Sequence, residues 1–203
     1  MHEEILAPEQ KKLLPLVALF KKDFGLVGGT AIALHIGHRE SLDFDLFSLE
    51  EFDSLKIRNK IKKLEKIDEV ARDEIGQFTL KIHNVKFTFL HYPFPIIFSE
   101  NFGDVIIMPN LLVLAAMKVY ALGRPQKWKD YVDLYFIIKD FHPIKEVMEK
   151  AKDIFKNEFN ERIFREQISY FEDMDYSEEI VWMKGFETSK EVIKKALIEF
   201  SLL

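Results

Sequence analysis

Val27-Gly28-Gly29-Thr30-Ala31-Ile32-Ala33-Leu34 and, just downstream, Ser41-Leu42-Asp43-Phe44-Asp45-Leu46-Phe47 are the two runs on which the reading of this chain turns. The first joins a short apolar strand, Phe24 to Val27, to a helix. Two glycines at the junction let the backbone turn sharply and approach a ligand closely. Thr30 is the expected cap of the helix, whose N–H groups and dipole suit a phosphate. Strand–Gly-Gly–helix turns are common and carry little meaning alone. In the second run Asp43 and Asp45 flank Phe44 at the start of an apolar strand, so alternation sends both carboxylates to one face. Like charges placed so need a cation or donors between them. Mg²⁺ is the natural candidate, because it takes carboxylate and phosphate oxygens together. A solvated or turn-capping pair is the ordinary alternative for the aspartates by themselves. The glycine turn just upstream tips the reading toward metal and phosphate.

Working outward, Glu9 to Asp23 reads as a helix with Leu13, Leu16, Val17 and Phe20 on one face, its start blurred by Pro15. Phe44 to Phe47 is a strand, with Ser48 the expected cap of a charged helix reaching about Leu64. Strands are expected at Ile67–Ala71, Phe78–Ile82 and Val85–Leu90, the last two as a hairpin across Asn84. Helical patterns then cover Asn110–Leu122, Gln126–Lys139, Ile144–Asn157, Glu161–Glu172 and Ser189–Phe200. The expected class is α+β: a mixed β-sheet core with flanking helices over residues 1–100, and a helical C-terminal half over 101–203 that completes the cleft.

Composition narrows the function classes. The chain has 203 residues, 48% hydrophobic and 31% charged, with no Cys. That profile fits a globular protein rather than a disordered one, and it removes disulfides, thiolate metal sites and cysteine nucleophiles. An acidic N-terminus without an apolar core, and no apolar run of membrane-spanning length, point to a cytoplasmic protein with no membrane partner. The formal charge of −5 announces no nucleic-acid binder. Lys56, Arg58, Lys60, Lys62, Lys63 and Lys66, and again Arg124, Lys127 and Lys129, form local basic stretches that are usually solvated helix faces. His35 and His38 lack a third partner and are expected to be packed or solvent-facing rather than metal ligands. G-x-S-x-G, Walker A and GxGxxG patterns are all absent.

Further along, Leu111, Leu114, Ala115 and Leu122 mark an apolar stripe that also contains Lys118. A lysine there either snorkels to water or meets a carboxylate or phosphate. Asp130 and Asp133 share a face of the next helix, and Asp133 lies among Val132, Leu134, Tyr135 and Phe136. A buried carboxylate wants a cation, and Lys118 or Arg124 could supply it.

Gly28-Gly29-Thr30-Ala31-Ile32-Ala33-Leu34, Gly37-His38-Arg39-Glu40-Ser41 and Asp43-Phe44-Asp45-Leu46-Phe47, in this order and spacing, resemble the first motif of the AbiEii/AbiGii toxin-type nucleotidyltransferases; the match resumes from Leu111 to Tyr135. The resemblance implies a nucleotidyltransferase-like core and transfer of a nucleoside monophosphate from an NTP to an acceptor hydroxyl. It further implies Mg²⁺ as cofactor, RNA (tRNA in some members) as acceptor, a toxin–antitoxin or phage-defence setting, and a cognate antitoxin. Carried onto this chain, Gly28, Gly29 and Thr30 cradle the triphosphate, Asp43 and Asp45 hold metal, and Lys118 steadies phosphate. Arg39 touches phosphate or holds its loop, and Asp130 and Asp133 order the nucleotide site. One departure stands out: Thr88 occupies the strand position where a third carboxylate is expected, leaving Asp73, Glu74 or Asp130 as substitutes. That gap keeps open a non-catalytic nucleotide-binding module on the same fold. A transferase acting on a small molecule such as an antibiotic is the other alternative.

Overall fold

Period-two alternation of Phe and Leu with polar residues builds the sheet. In the computed structural model, which describes residues 1–122 and 126–203, five strands form it: β1 (Gly25–Val27), β2 (Phe44–Ser48), β3 (Glu69–Glu74), β4 (Gln77–Ile82) and β5 (Val85–His91). Their order is β1-β2-β5-β4-β3. β2 and β5 run parallel and the other neighbours antiparallel, with a register shift between Val70 and Arg72 in β3. His83 and Asn84 both take positive φ, 50° and 63°, which closes the β4–β5 hairpin with the twist its strands need.

One face of the sheet carries Phe44, Leu46, Phe78, Leu80, Phe87 and Phe89, all buried. Helices α1 (Pro8–Ala18) and α3 (Ser54–Ile61) cover it. Phe89 lies at the centre, edge-on to Phe20 at 4.8 Å and to Phe24 at 5.2 Å between ring centroids. Arg58 and Lys60 of α3 lie over the rings of Phe78 and Phe20, so the basic stretch stands on the face away from the aspartates. Asp45, Thr88 and Thr79 line up side by side across β2, β5 and β4 on the opposite face.

The second half is helical: α4 (Leu111–Ala121), α5 (Trp128–Asp140), α6 (Ile144–Phe155), α7 (Glu161–Ile168) and α8 (Lys190–Ser201). Asn110, Asn160 and Ser189 cap α4, α7 and α8 with side-chain oxygens. Helix α2 (Gly28–Ile36), which follows β1, packs against both α4 and α5 and joins the halves.

The mixed sheet and helical half agree with the expected class, and the local differences are instructive. Ser48 ends β2 and donates no cap to α3; Asp53 caps it instead, accepting from Leu55 N at 2.8 Å. The apolar run before α4 is a small hairpin of β6 (Glu100–Phe102) and β7 (Ile106–Met108). A two-residue parallel pair joins β8 (Gln126–Lys127) to β9 (Met174–Asp175). β3 forms an outer edge exposed along its whole length, ending in the fully exposed Ile75 at the β3–β4 turn.

Phe89→Ala should lower stability by about 3–5 kcal/mol, since it empties the centre of the aromatic cluster. The readout is the urea midpoint. A loss under about 1 kcal/mol would show that the cluster does not anchor the sheet.

Candidate active site

The Gly-Gly turn has a steric cause. Gly28 has φ +71°, and a Cβ on it would stand 2.3 Å from Asp45 Oδ2. On Gly29 a Cβ would stand 2.7 Å from an Arg39 guanidinium nitrogen. Val27 pairs with Asp45 across β1 and β2. The glycines therefore let a carboxylate and a guanidinium press against the backbone where α2 begins. Val27, at the N-cap position, offers no side-chain hydrogen bond, so the first-turn N–H groups have no side-chain acceptor there. Thr30 is not the cap: the helix starts at Gly28, two residues earlier, and Val27 takes the N-cap position. Thr30 is 1% exposed. Its hydroxyl donates to the Asp43 carbonyl and shares a hydrogen bond with the Ser41 hydroxyl at 2.9 Å. This ties the glycine helix to the segment that carries the aspartates.

Asp43 and Asp45 lie together beside that helix start. Burial pushes the Asp45 carboxyl up from its ordinary value, and the neighbouring Asp43 charge pushes it further. Lys86, Lys118 and the Thr88 hydroxyl pull in the other direction without cancelling the rise. Asp43 Oδ2 meets Lys86 Nζ at 2.6 Å. A negative pair of this kind fits Mg²⁺, which binds through one or two carboxylates and takes its remaining oxygens from phosphate and water. Among the described residues no cluster of three or more His, Asp or Glu forms a complete protein-only metal site.

Beneath this pair lies a buried ion network. Asp133 is 0% exposed. It accepts from Arg39 Nε at 2.7 Å and from a second Arg39 guanidinium nitrogen at 2.9 Å, and it lies 2.8 Å from His38 Nε2. Lys118 Nζ reaches Asp130 at 2.7 Å and Asp133 at 3.2 Å. Burial alone would raise the Asp133 carboxyl; the Arg39 and Lys118 charges and the His38 and Arg39 hydrogen bonds outweigh it and hold it well below the ordinary value. In Lys118, burial is likewise overcome by Asp130 and Asp133, so the ammonium stays charged. Burial lowers His38 despite Asp133, which favours the neutral ring.

The structure thus brings Gly28, Gly29, Thr30, Asp43 and Asp45 into one corner, with Lys118 close enough to Asp45 to influence it. Arg39, Asp130 and Asp133 form the layer that holds Lys118. Arg39 and Asp133 spend their side chains on each other. Asp73 and Glu74 lie on the exposed edge strand beside Arg58 and Arg72, several strands from Asp45. Asp130 is committed to Lys118. Thr88 sits directly opposite Asp45 in register. His35 contacts the Pro109 carbonyl at 3.1 Å and shares no ligand with His38. Arg124, considered as a partner for Asp133, lies outside the described residues.

Two features escaped the sequence reading. Lys86 is two residues before Thr88, so period-two alternation alone could have placed it on the aspartate face. The other is a C-terminal strap over residues 180–183. Glu40 N donates to the Val181 carbonyl at 2.9 Å and Met183 N to the His38 carbonyl at 3.1 Å, clamping the His38–Glu40 loop from above. A contact so distant in the chain leaves no local signal.

The chain is similar to known proteins in family and in fold. Residues 16–94 match the family model described as nucleotidyl transferase AbiEii toxin, type IV TA system. The uncharacterized protein aq_aa25 of Aquifex aeolicus (strain VF5) is 32% identical over 175 residues, covering 83% of this chain and 84% of that protein. In fold the chain is similar to MenT4, a nucleotidyltransferase toxin of Mycobacterium tuberculosis H37Rv, with a TM-score of 0.61 at 13% identity over 94% of this chain and 80% of that one. A proposed nucleotidyltransferase of Helicobacter pylori gives a TM-score of 0.64 at 15% identity over 100% and 95% of the two chains.

Asp133→Asn leaves Arg39 and Lys118 buried without their shared counter-charge and should cost about 3–5 kcal/mol. Because the native carboxyl is depressed, its stabilisation is complete above the ordinary value of 3.8 and is lost as pH falls below it. Chemical denaturation across the acid range should therefore show a shallower decline in the variant than in the wild type. Equal slopes would remove Asp133 from the acid response.

Proposed function

The chain belongs to the AbiEii nucleotidyltransferase toxin family, and from that premise we propose that it moves a nucleoside monophosphate from an Mg²⁺-bound NTP to a hydroxyl of RNA, with tRNA the first acceptor to test. The observation that carries the reading is the corner where an uncapped helix start at Gly28-Gly29 meets the Asp43–Asp45 pair. Backbone N–H groups of that turn take phosphate oxygens. Asp43 and Asp45 hold the metal, and Thr30 keeps the two parts in register. Lys118, aimed by Asp130 and Asp133, balances phosphate charge. Arg39 acts through position, its guanidinium under Gly29 and bound to Asp133. The nucleotide would lie in the cleft between the sheet core of residues 1–100 and the helical region of 101–203.

In the transfer the acceptor oxygen bonds to the α-phosphorus and the bond from that phosphorus to the bridging oxygen breaks. Pyrophosphate leaves, and the hydroxyl proton passes to Asp45 or to water. Charge neutralisation at the phosphates and activation of the hydroxyl are the chemistry that Mg²⁺ supplies when bound. A toxin role in the cytoplasm with a cognate antitoxin completes the proposal; among the described residues no helix is long and apolar enough to cross a membrane. The non-catalytic nucleotide-binding reading draws on Thr88 opposite Asp45 and on Lys86 seated against Asp43.

Incubation of total tRNA with each labelled NTP and Mg²⁺ should label RNA with one nucleotide, and Asp45→Asn should reduce the rate by about a hundredfold or more. Transfer only to small hydroxyl compounds would replace the RNA acceptor. NTP binding with no transfer to any acceptor would leave the binding module.

A further inference from the structure

Lys86 is the residue of the aspartate face that the family reading leaves without a task. It stands on β5 two residues before Thr88, which faces Asp45 in register, and its ammonium lies 2.6 Å from Asp43 Oδ2. A catalytic pair of cations normally needs a further carboxylate beside the first two. Here the neighbouring strand offers a hydroxyl at Thr88 and a fixed positive charge at Lys86. We infer that the Lys86 ammonium takes the place of a second metal ion on Asp43, so that the site admits a single divalent ion, which arrives with the triphosphate. This rests on the nucleotide-site reading above.

The geometry suits the role. Lys86 and Asp43 side chains are 38% and 29% exposed, so the ammonium is open to an incoming acceptor oxygen while it stays paired. An ammonium is a compact point charge with rotatable donors. It neutralises one carboxylate without demanding an octahedral shell, whereas a second metal ion there would call for a further carboxylate, and this strand provides only the Thr88 hydroxyl.

The test counts metal ions rather than turnover. Mn²⁺ bound to the full chain is measured by electron paramagnetic resonance with an NTP analogue carrying a methylene group between the α- and β-phosphates. Wild type should bind one Mn²⁺ per chain with the analogue. Lys86→Glu, which places a carboxylate beside Asp43, should bind two. Lys86→Met, which removes the competing ammonium and adds no charge, should bind Mn²⁺ without nucleotide roughly tenfold more tightly than wild type. Circular dichroism on both variants establishes that they are folded, and Lys86→Met alone carries the test if Lys86→Glu is not. Two ions in the wild type overturn the inference and leave the nucleotide site standing. One ion in Lys86→Glu, or unchanged affinity in Lys86→Met, also overturns it. No binding of Mn²⁺ and analogue by the wild type sinks the nucleotide-site reading and the inference with it.

Discussion

Asp133 is the constraint on which the rest of this molecule depends. A carboxylate with no exposure is tolerable only when its charge is answered on several sides. Here the answer comes from Arg39 and His38 in the loop between the glycine helix and the aspartate strand, and from Lys118 in α4. One side chain on α5 therefore fixes how the helical half meets the sheet half. The Arg39 fork binds Asp133 in two-pronged geometry, which sets an orientation as well as a distance. With Arg39 so held, Gly29 must lack a side chain, because a Cβ there would meet the guanidinium at 2.7 Å. Gly29 is thus a steric consequence of the buried network.

The same network bears on the uneven electrostatics around Asp43 and Asp45. Positive charge is buried and permanent at Arg39 and Lys118, while negative charge is crowded at Asp43 and Asp45, where burial and mutual repulsion raise the Asp45 carboxyl. The cations of the network are answered by Asp130 and Asp133, whereas among the described residues Asp45 has no ion-pair partner of its own and feels Lys86 and Lys118 only through space.

Much of this was legible in the sequence, for reasons that can be named. Period-two alternation placed Asp43 and Asp45 on one face and Phe44 in the core, and the β4–β5 hairpin announced itself through Asn84. The helices from Leu111 onward followed their apolar spacing to within a few residues. Helix starts were read less well, because Thr30 and Ser48 are both good caps by type and neither caps. A backbone that turns at Gly28 begins its helix before Thr30, and an intervening loop moves the start of α3 from Ser48 to Asp53. Asp133 was recognised as a carboxylate in need of a cation, but Arg39, which lies 94 positions away, was not paired with it. Long-range ion pairs and the strap over His38 and Glu40 are set by tertiary packing and leave no trace in local spacing.

The outer strand β3 has a consequence of another kind. Its backbone edge is open along Glu69–Glu74 and is followed by a bare isoleucine at the turn, which would ordinarily template the addition of a foreign strand. Laid antiparallel against its own copy about its midpoint, the segment would set Glu69 opposite Glu74 and Val70 opposite Asp73. The irregularity at Val70 and Arg72 also spoils a straight ladder. In that register the like charges of Glu69 and Glu74 meet at both ends of the pair and Val70 meets a carboxylate, so the edge disfavours a second copy of itself.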